Sequence, residues 1–123
     1  MTWRKAIPRG LRRGEDLVVE VPCRILESTN TSLPGAGTPV VVGVSNERIL
    51  VWAVARLSTQ AGKLLGTVSR RRVEHAAIQR AGPQTRVRLD FEEEAVVVVE
   101  ARRELHPEQL AWALSSDAIQ VEQ

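Results

Sequence analysis

Apolar and polar positions in this chain group into short bursts, each closed by turn-forming residues. Seven valine-rich segments occupy positions 17–26, 40–44, 48–57, 64–69, 73–79, 86–91 and 95–101. Short segments at this spacing predict a small antiparallel sandwich or barrel. In the sixth, Arg86, Arg88 and Asp90 alternate with Val87, Leu89 and Phe91, the period-two pattern of a strand with one face inward. Pro22, inside the first segment, predicts a bulge or an edge position there.

After the last strand the period changes, and residues 106–118 predict one closing helix. Pro107 suits a first helical position, where its missing N–H costs nothing. With His106 as the N-cap, Gln109 falls where a capping box needs it, and Leu105 and Leu110 fall where a hydrophobic staple needs them. Leu110, Ala111, Leu114 and Ala118 share the face expected against the strands. Trp112 lies ~200° of rotation from Leu110, and Ile119, seven residues on, shares its side. Either a strand end covers the edge of Trp112, or Trp112 and Ile119 form an apolar strip for a partner.

The connections are of ordinary turn chemistry. Residues 27–39 form a polar Gly/Pro-rich stretch, long for a hairpin, expected as a flexible loop. Ser45-Asn46-Glu47 is a tight turn, and Asn suits it because it tolerates positive φ.

Composition narrows the class without naming a function. At 123 residues the chain has the size of one domain, with 43% apolar and 26% charged positions. The net charge of +2 is unevenly placed: residues 1–13 hold Arg4, Lys5, Arg9, Arg12 and Arg13 and no acid. The organisation read from this is a basic arm, 1–13, and a near-neutral domain, 14–120. The arm is either solvated or an electrostatic contact for anionic lipid, nucleic acid or an acidic protein surface. The single cysteine excludes an internal disulfide, and no apolar run is long enough to span a bilayer, so a cytoplasmic protein is expected.

Candidate chemistry is sparse. His75, His106 and Cys23 occur singly, with no zinc-ligand spacing and no nucleophile–base pattern. The stretch Leu33-Pro34-Gly35-Ala36-Gly37 lacks the spacing of a phosphate-binding loop. The one cluster of interest is Arg70-Arg71-Arg72, with Arg86 and Arg88 nearby if strand pairing brings them together. It is either a solvated surface balanced by Glu74, Asp90 and Glu100, or an anion-binding patch. Nucleic acid is disfavoured, because a near-neutral body without a Phe/Tyr platform offers little for bases to stack on.

The order of these motifs resembles the pleckstrin-homology-like fold in its small bacterial form. Leu11-Arg12-Arg13-Gly14-Glu15 resembles the lead into its first strand, and the run from Val42 to Val51, centred on Ser45-Asn46-Glu47-Arg48, resembles a hairpin common in such domains. Gly62-Lys63 resembles the turn into its fourth strand, and Leu105-His106-Pro107-Glu108-Gln109-Leu110 the start of its closing helix. Glu92-Glu93-Glu94 departs from the Asp-Gly often found there, so a longer or looser hairpin is expected. The resemblance implies a seven-stranded antiparallel barrel or sandwich of two bent sheets, capped by one C-terminal helix. It also implies a scaffold that binds rather than catalyses. Phosphoinositide-binding members carry Lys and Arg in the first loop, and here residues 28–39 have none. The expectation is a non-enzymatic module binding a protein partner or a second copy through Trp112 and Ile119, without cofactor or metal. The alternative is peripheral contact with an anionic membrane through the basic arm and Arg70–Arg72.

Overall fold

The computed structural model describes residues 10–54, 61–114 and 119–122. Its strands are β1 (Leu17–Thr29), β2 (Pro39–Ser45), β3 (Arg48–Val54), β4 (Ala61–Ser69), β5 (Val73–Ala81), β6 (Gln84–Phe91), β7 (Ala95–Arg102) and β8 (Ile119–Glu122), with one helix, α1 (Glu108–Leu114), before β8. They form one open sheet in the order β4-β3-β2-β1-β7-β6-β5-β8. The first seven strands pair antiparallel and β8 lies parallel to β5.

The two expected sheets are the two ends of this one sheet, joined through β1. The first half of β1 pairs with β2, from Leu17 opposite Ser45 to Arg24 opposite Pro39. Its second half pairs with β7, from Arg24 opposite Glu100 onward. Pro22 precedes that switch, where β1 has only β2 beside it. The strand is locally an edge at the point where the proline requires one.

The main core fills the inside of the curl. Val21 and Ile25 of β1, Val87, Leu89 and Phe91 of β6, and Ala95, Val97 and Val99 of β7 meet Leu110 and Ala111 of α1 there. A second, smaller cluster lies on the other side of β2 and β3: Val41, Leu50 and Trp52, bordered by Leu11, Leu17 and Leu64. Burial on both faces explains why β2 and the start of β3 read as unbroken apolar runs rather than alternating ones. It also ties down the segment before β1, since Leu11 packs against this outer cluster. The expected boundary at 13 therefore falls inside a held segment; residues 1–9, with Arg4, Lys5 and Arg9, lie outside the described residues.

Three expectations need correction. The loop after β1 is not merely a flexible connection: Leu33 is buried in the main core at 7% exposure. A Cβ on Gly66 of β4 would come within 2.9 Å of Leu33, so the glycine makes room for it. Ser28 and Thr31 share a hydroxyl–hydroxyl bond of 2.6 Å, and the Leu33 N–H donates to Thr31 Oγ1 at 3.2 Å, fixing the inserted loop.

The second correction concerns Glu92–Glu94. It closes as a tight hairpin with Glu93 and Glu94 both at positive φ, 63° and 59°. The connection is three residues, one longer than an Asp-Gly turn, with Phe91 opposite Ala95, but it is not loose.

The third concerns the C-terminus. His106 is no N-cap: it takes a left-handed conformation closing the 3-10 turn Arg103–Leu105, and its N–H donates to Arg103 O at 3.1 Å. Among the described residues the helix α1 covers Glu108–Leu114, and Ile119 belongs to β8, opposite Ala76 of β5. Ile119-Gln120-Val121-Glu122 alternates with period two. Trp112 and Ile119 thus do not share a helix face. Ala118 lies outside the described residues, as do positions 55–57 of the predicted third strand.

Candidate functional site

The densest polar arrangement joins the segment before β1 to the β2–β3 turn. Arg48 opens a strand that is otherwise apolar, and its guanidinium grips Glu15 with two bonds: Nε donates to Oε2 at 3.0 Å and Nη2 to Oε1 at 2.7 Å. Ser45 Oγ donates to Glu15 Oε2 at 2.5 Å and accepts the N–H groups of Glu47 and Arg48 at 3.0 and 2.9 Å. The Arg12 N–H donates to Glu15 Oε1 at 2.8 Å. Arg48 Nη2 also donates to the Gly10 carbonyl. Asp16 and Asn46 exchange two bonds: the Asp16 N–H donates to Asn46 Oδ1 at 2.9 Å, and the Asn46 N–H to Asp16 O at 3.1 Å.

The Glu15 side chain is fully buried, so this pairing is what makes its charge tolerable. The bonds from Arg48 lead, with those from Ser45 and the Arg12 amide adding, and burial opposes them. The carboxyl is held well below its usual range, at about 2. The same contacts raise the Arg48 guanidinium above its ordinary value. This network is structural; it fixes the β2–β3 turn to the base of the arm.

A cavity of about 370 Å³ opens beside it. The base of the arm contributes Arg12, the β2–β3 turn Asn46, Glu47 and Arg48, and the end of β4 with the following turn Thr67, Ser69, Arg70 and Arg71. Arg70 links three elements: Nη1 donates to Ser45 O at 2.8 Å, Nη2 to Ala113 O of α1 at 2.6 Å, and its N–H to Glu47 O at 3.2 Å. The turn Arg70–Arg72 begins with Ser69 Oγ accepting the Arg71 N–H at 3.3 Å.

The remaining arginines go elsewhere. Arg72 borders a different hollow, with Asn30, Thr31 and Phe91, and lies 4.0 Å from Glu92 and 3.9 Å from Glu93. Arg86 and Arg88 border a third, on β6, where Arg86 pairs with Glu100 at 2.7 Å and Arg88 with Asp90 at 3.1 Å. The five arginines do not form one patch. What sequence reasoning missed is that Arg12 joins Arg70 and Arg71, a juxtaposition set by the Glu15–Arg48 pairing of segments 33 residues apart.

Trp112 is 55% exposed on α1, next to Leu110 and Ala111, which are fully buried. Arg70, which lines the basic cavity, holds the carbonyl of Ala113, the residue after Trp112. His106 Nδ1 lies 3.2 Å from Glu108 Oε1, and His75 lies in β5. Cys23 packs against the main core, where burial pushes its thiol up to about 12. Among the described residues no group of three or more His, Cys, Asp or Glu is placed to hold a metal ion, and no helix is long and apolar enough to cross a membrane. No protein-family model matches the chain, and no curated protein matches it.

Proposed function

We propose that the chain is a non-catalytic interaction module that binds a protein partner, or a second copy of itself, on the outward face of α1, with Trp112 as the anchor. The observation that carries this reading is the exposure of Trp112 beside two fully buried neighbours. A large indole left in water gains most when a partner covers it, and such residues dominate interface energetics. Leu105, 44% exposed in the turn before α1, adds apolar surface nearby in the chain. β4 is an edge strand, and among the described residues its outer side pairs with no other strand, which supports strand addition as a further mode. The strand order and the closing helix support the pleckstrin-homology-like reading, in which the scaffold binds rather than catalyses.

The test is affinity capture and light scattering with wild-type and Trp112→Ala protein. The reading expects a partner, or a dimer, that is lost or weakened at least about tenfold by the substitution. A wild-type monomer that captures nothing, or capture unchanged by the substitution, overturns it.

A further inference from the structure

We infer that the cavity between Arg12, the β2–β3 turn and the end of β4 is a binding site for a phosphate group, carried by a lipid headgroup or by a soluble phosphate ester. The inference stands apart from the Trp112 reading and rests on how the charges around this cavity are spent. Arg48 is neutralised by Glu15, to which it donates twice. Arg70 spends N–H groups on the carbonyls of Ser45 and Ala113, but those acceptors are neutral and leave its positive charge uncancelled. Arg12, 63% exposed at its side chain, has Glu47 only at 4.0 Å, a weak pairing in solvent. Among the described residues no acceptor engages the Arg71 guanidinium. Four arginines against Glu15 and Glu47 leave two positive charges around one cavity.

Neutral groups complete the site. Asn46 commits its Oδ1 to the Asp16 N–H, which leaves its side-chain amide as a donor. Thr67 also lines the cavity. Guanidinium forks and amide donors around a concave surface are the complement of a tetrahedral oxyanion, which takes several charge-assisted bonds at once. The frame is rigid where it matters, because the Glu15–Arg48–Ser45 network and the Arg70 bonds fix the turn, the arm base and α1 relative to each other. Arg86 and Arg88 offer no equivalent: each is paired to a carboxylate within 3.1 Å.

The experiment follows the amide resonances of the isotope-labelled full chain in two titrations. One uses inorganic phosphate; the other uses phosphatidylcholine vesicles with and without phosphatidic acid. The site predicts saturable shifts at Asn46, Thr67, Ser69 and Arg71 with phosphate, weakening as salt rises. Arg12→Gln with Arg71→Gln should weaken binding about tenfold or more, while Arg88→Gln leaves it unchanged. Both replaced side chains are exposed, and the amide spectrum itself reports whether the variant folds. Binding to phosphatidic acid vesicles that depends on Arg12 and Arg71 supports the site with a lipid headgroup as source; a phosphate response without vesicle binding supports it with a soluble ester. Absence of saturable shifts with either probe, vesicle binding that survives the double substitution, or equal loss in Arg88→Gln overturns the inference.

Discussion

The ring of Trp52 on β3 closes against Gly43 on β2 so tightly that a β-carbon at Gly43 would stand 2.6 Å from Cζ3 and 2.9 Å from Cη2. Leu17 Cδ1 would lie 2.9 Å from the same atom. The glycine is what lets a fully buried indole pack on the outer side of a two-stranded ladder. Gly43→Ala is expected to destabilise the fold by about 1–3 kcal/mol, because a buried indole has little room to yield. Urea denaturation measures this. Trp52→Leu in the Gly43→Ala background should cost less than the two single changes added together, since removing the ring removes the clash. Additive effects would show that the two residues do not compete for the same space.

Glu15 and Arg48 make stability depend on acid. The folded carboxyl is held at about 2 against an ordinary 4.5, so its contribution is complete above about 4.5 and is lost as pH falls toward about 2. A shift of that size corresponds to about 3 kcal/mol. Denaturant curves at neutral pH and near pH 3 should show wild type losing part of this amount through Glu15, and Glu15→Gln losing correspondingly less. At neutral pH the same substitution should be strongly destabilising, by about 3–5 kcal/mol, because it leaves Arg48 buried without its counter-charge. Equal acid sensitivity in the two proteins would remove Glu15 as the source.

Much of this architecture is legible in local patterns, and the residues that were not legible share a cause. The seven strands, the alternation on β6 and the helix start near Pro107 follow from periodicity and turn chemistry, which act over a few residues. Ile119 is hard to place from sequence because seven residues is two helical turns, while the four-residue alternation around it is a weak strand signal that becomes meaningful only with β5 alongside. Leu33 read as part of a polar loop because its burial depends on Gly66, more than thirty residues later, leaving it space. The grouping of Arg12 with Arg70 and Arg71, and the separation of Arg72, Arg86 and Arg88, depend on pairing register. Glu15 and Arg48 were visible as motif positions, yet nothing local announces that an acid and a base 33 residues apart will be buried together.

Cys23 should be chemically silent in the folded protein. With its thiol pushed up to about 12 from an ordinary 9.0, the thiolate fraction near neutral pH falls about a thousandfold. Reaction with a disulfide reagent should be at least about tenfold slower in native conditions than in denaturant, the lost thiolate fraction being offset in part by the greater nucleophilicity of a more basic thiolate. Comparable rates in both states would mean that the segment of β1 around Cys23 opens readily, or that the thiol is less buried than its packing against the core indicates.

The β6–β7 turn stores strain that substitution can release. Glu93 and Glu94 occupy left-handed conformations in succession, with the Ala95 N–H donating to Glu92 O across them. That is the geometry of a primed hairpin turn, for which Asn-Gly is the preferred pair, and an ordinary side chain held there costs on the order of 1 kcal/mol. Three adjacent carboxylates add mutual repulsion. The contact of Glu93 with Arg72, at 3.9 Å and largely exposed, offsets little of this. Glu93→Asn with Glu94→Gly is expected to raise stability by about 1–2 kcal/mol, a shift of several degrees in the melting temperature for a domain of this size. A melting temperature that stays the same or falls would show that Arg72 and the Asn30 contact to the Glu94 carbonyl already relieve the turn.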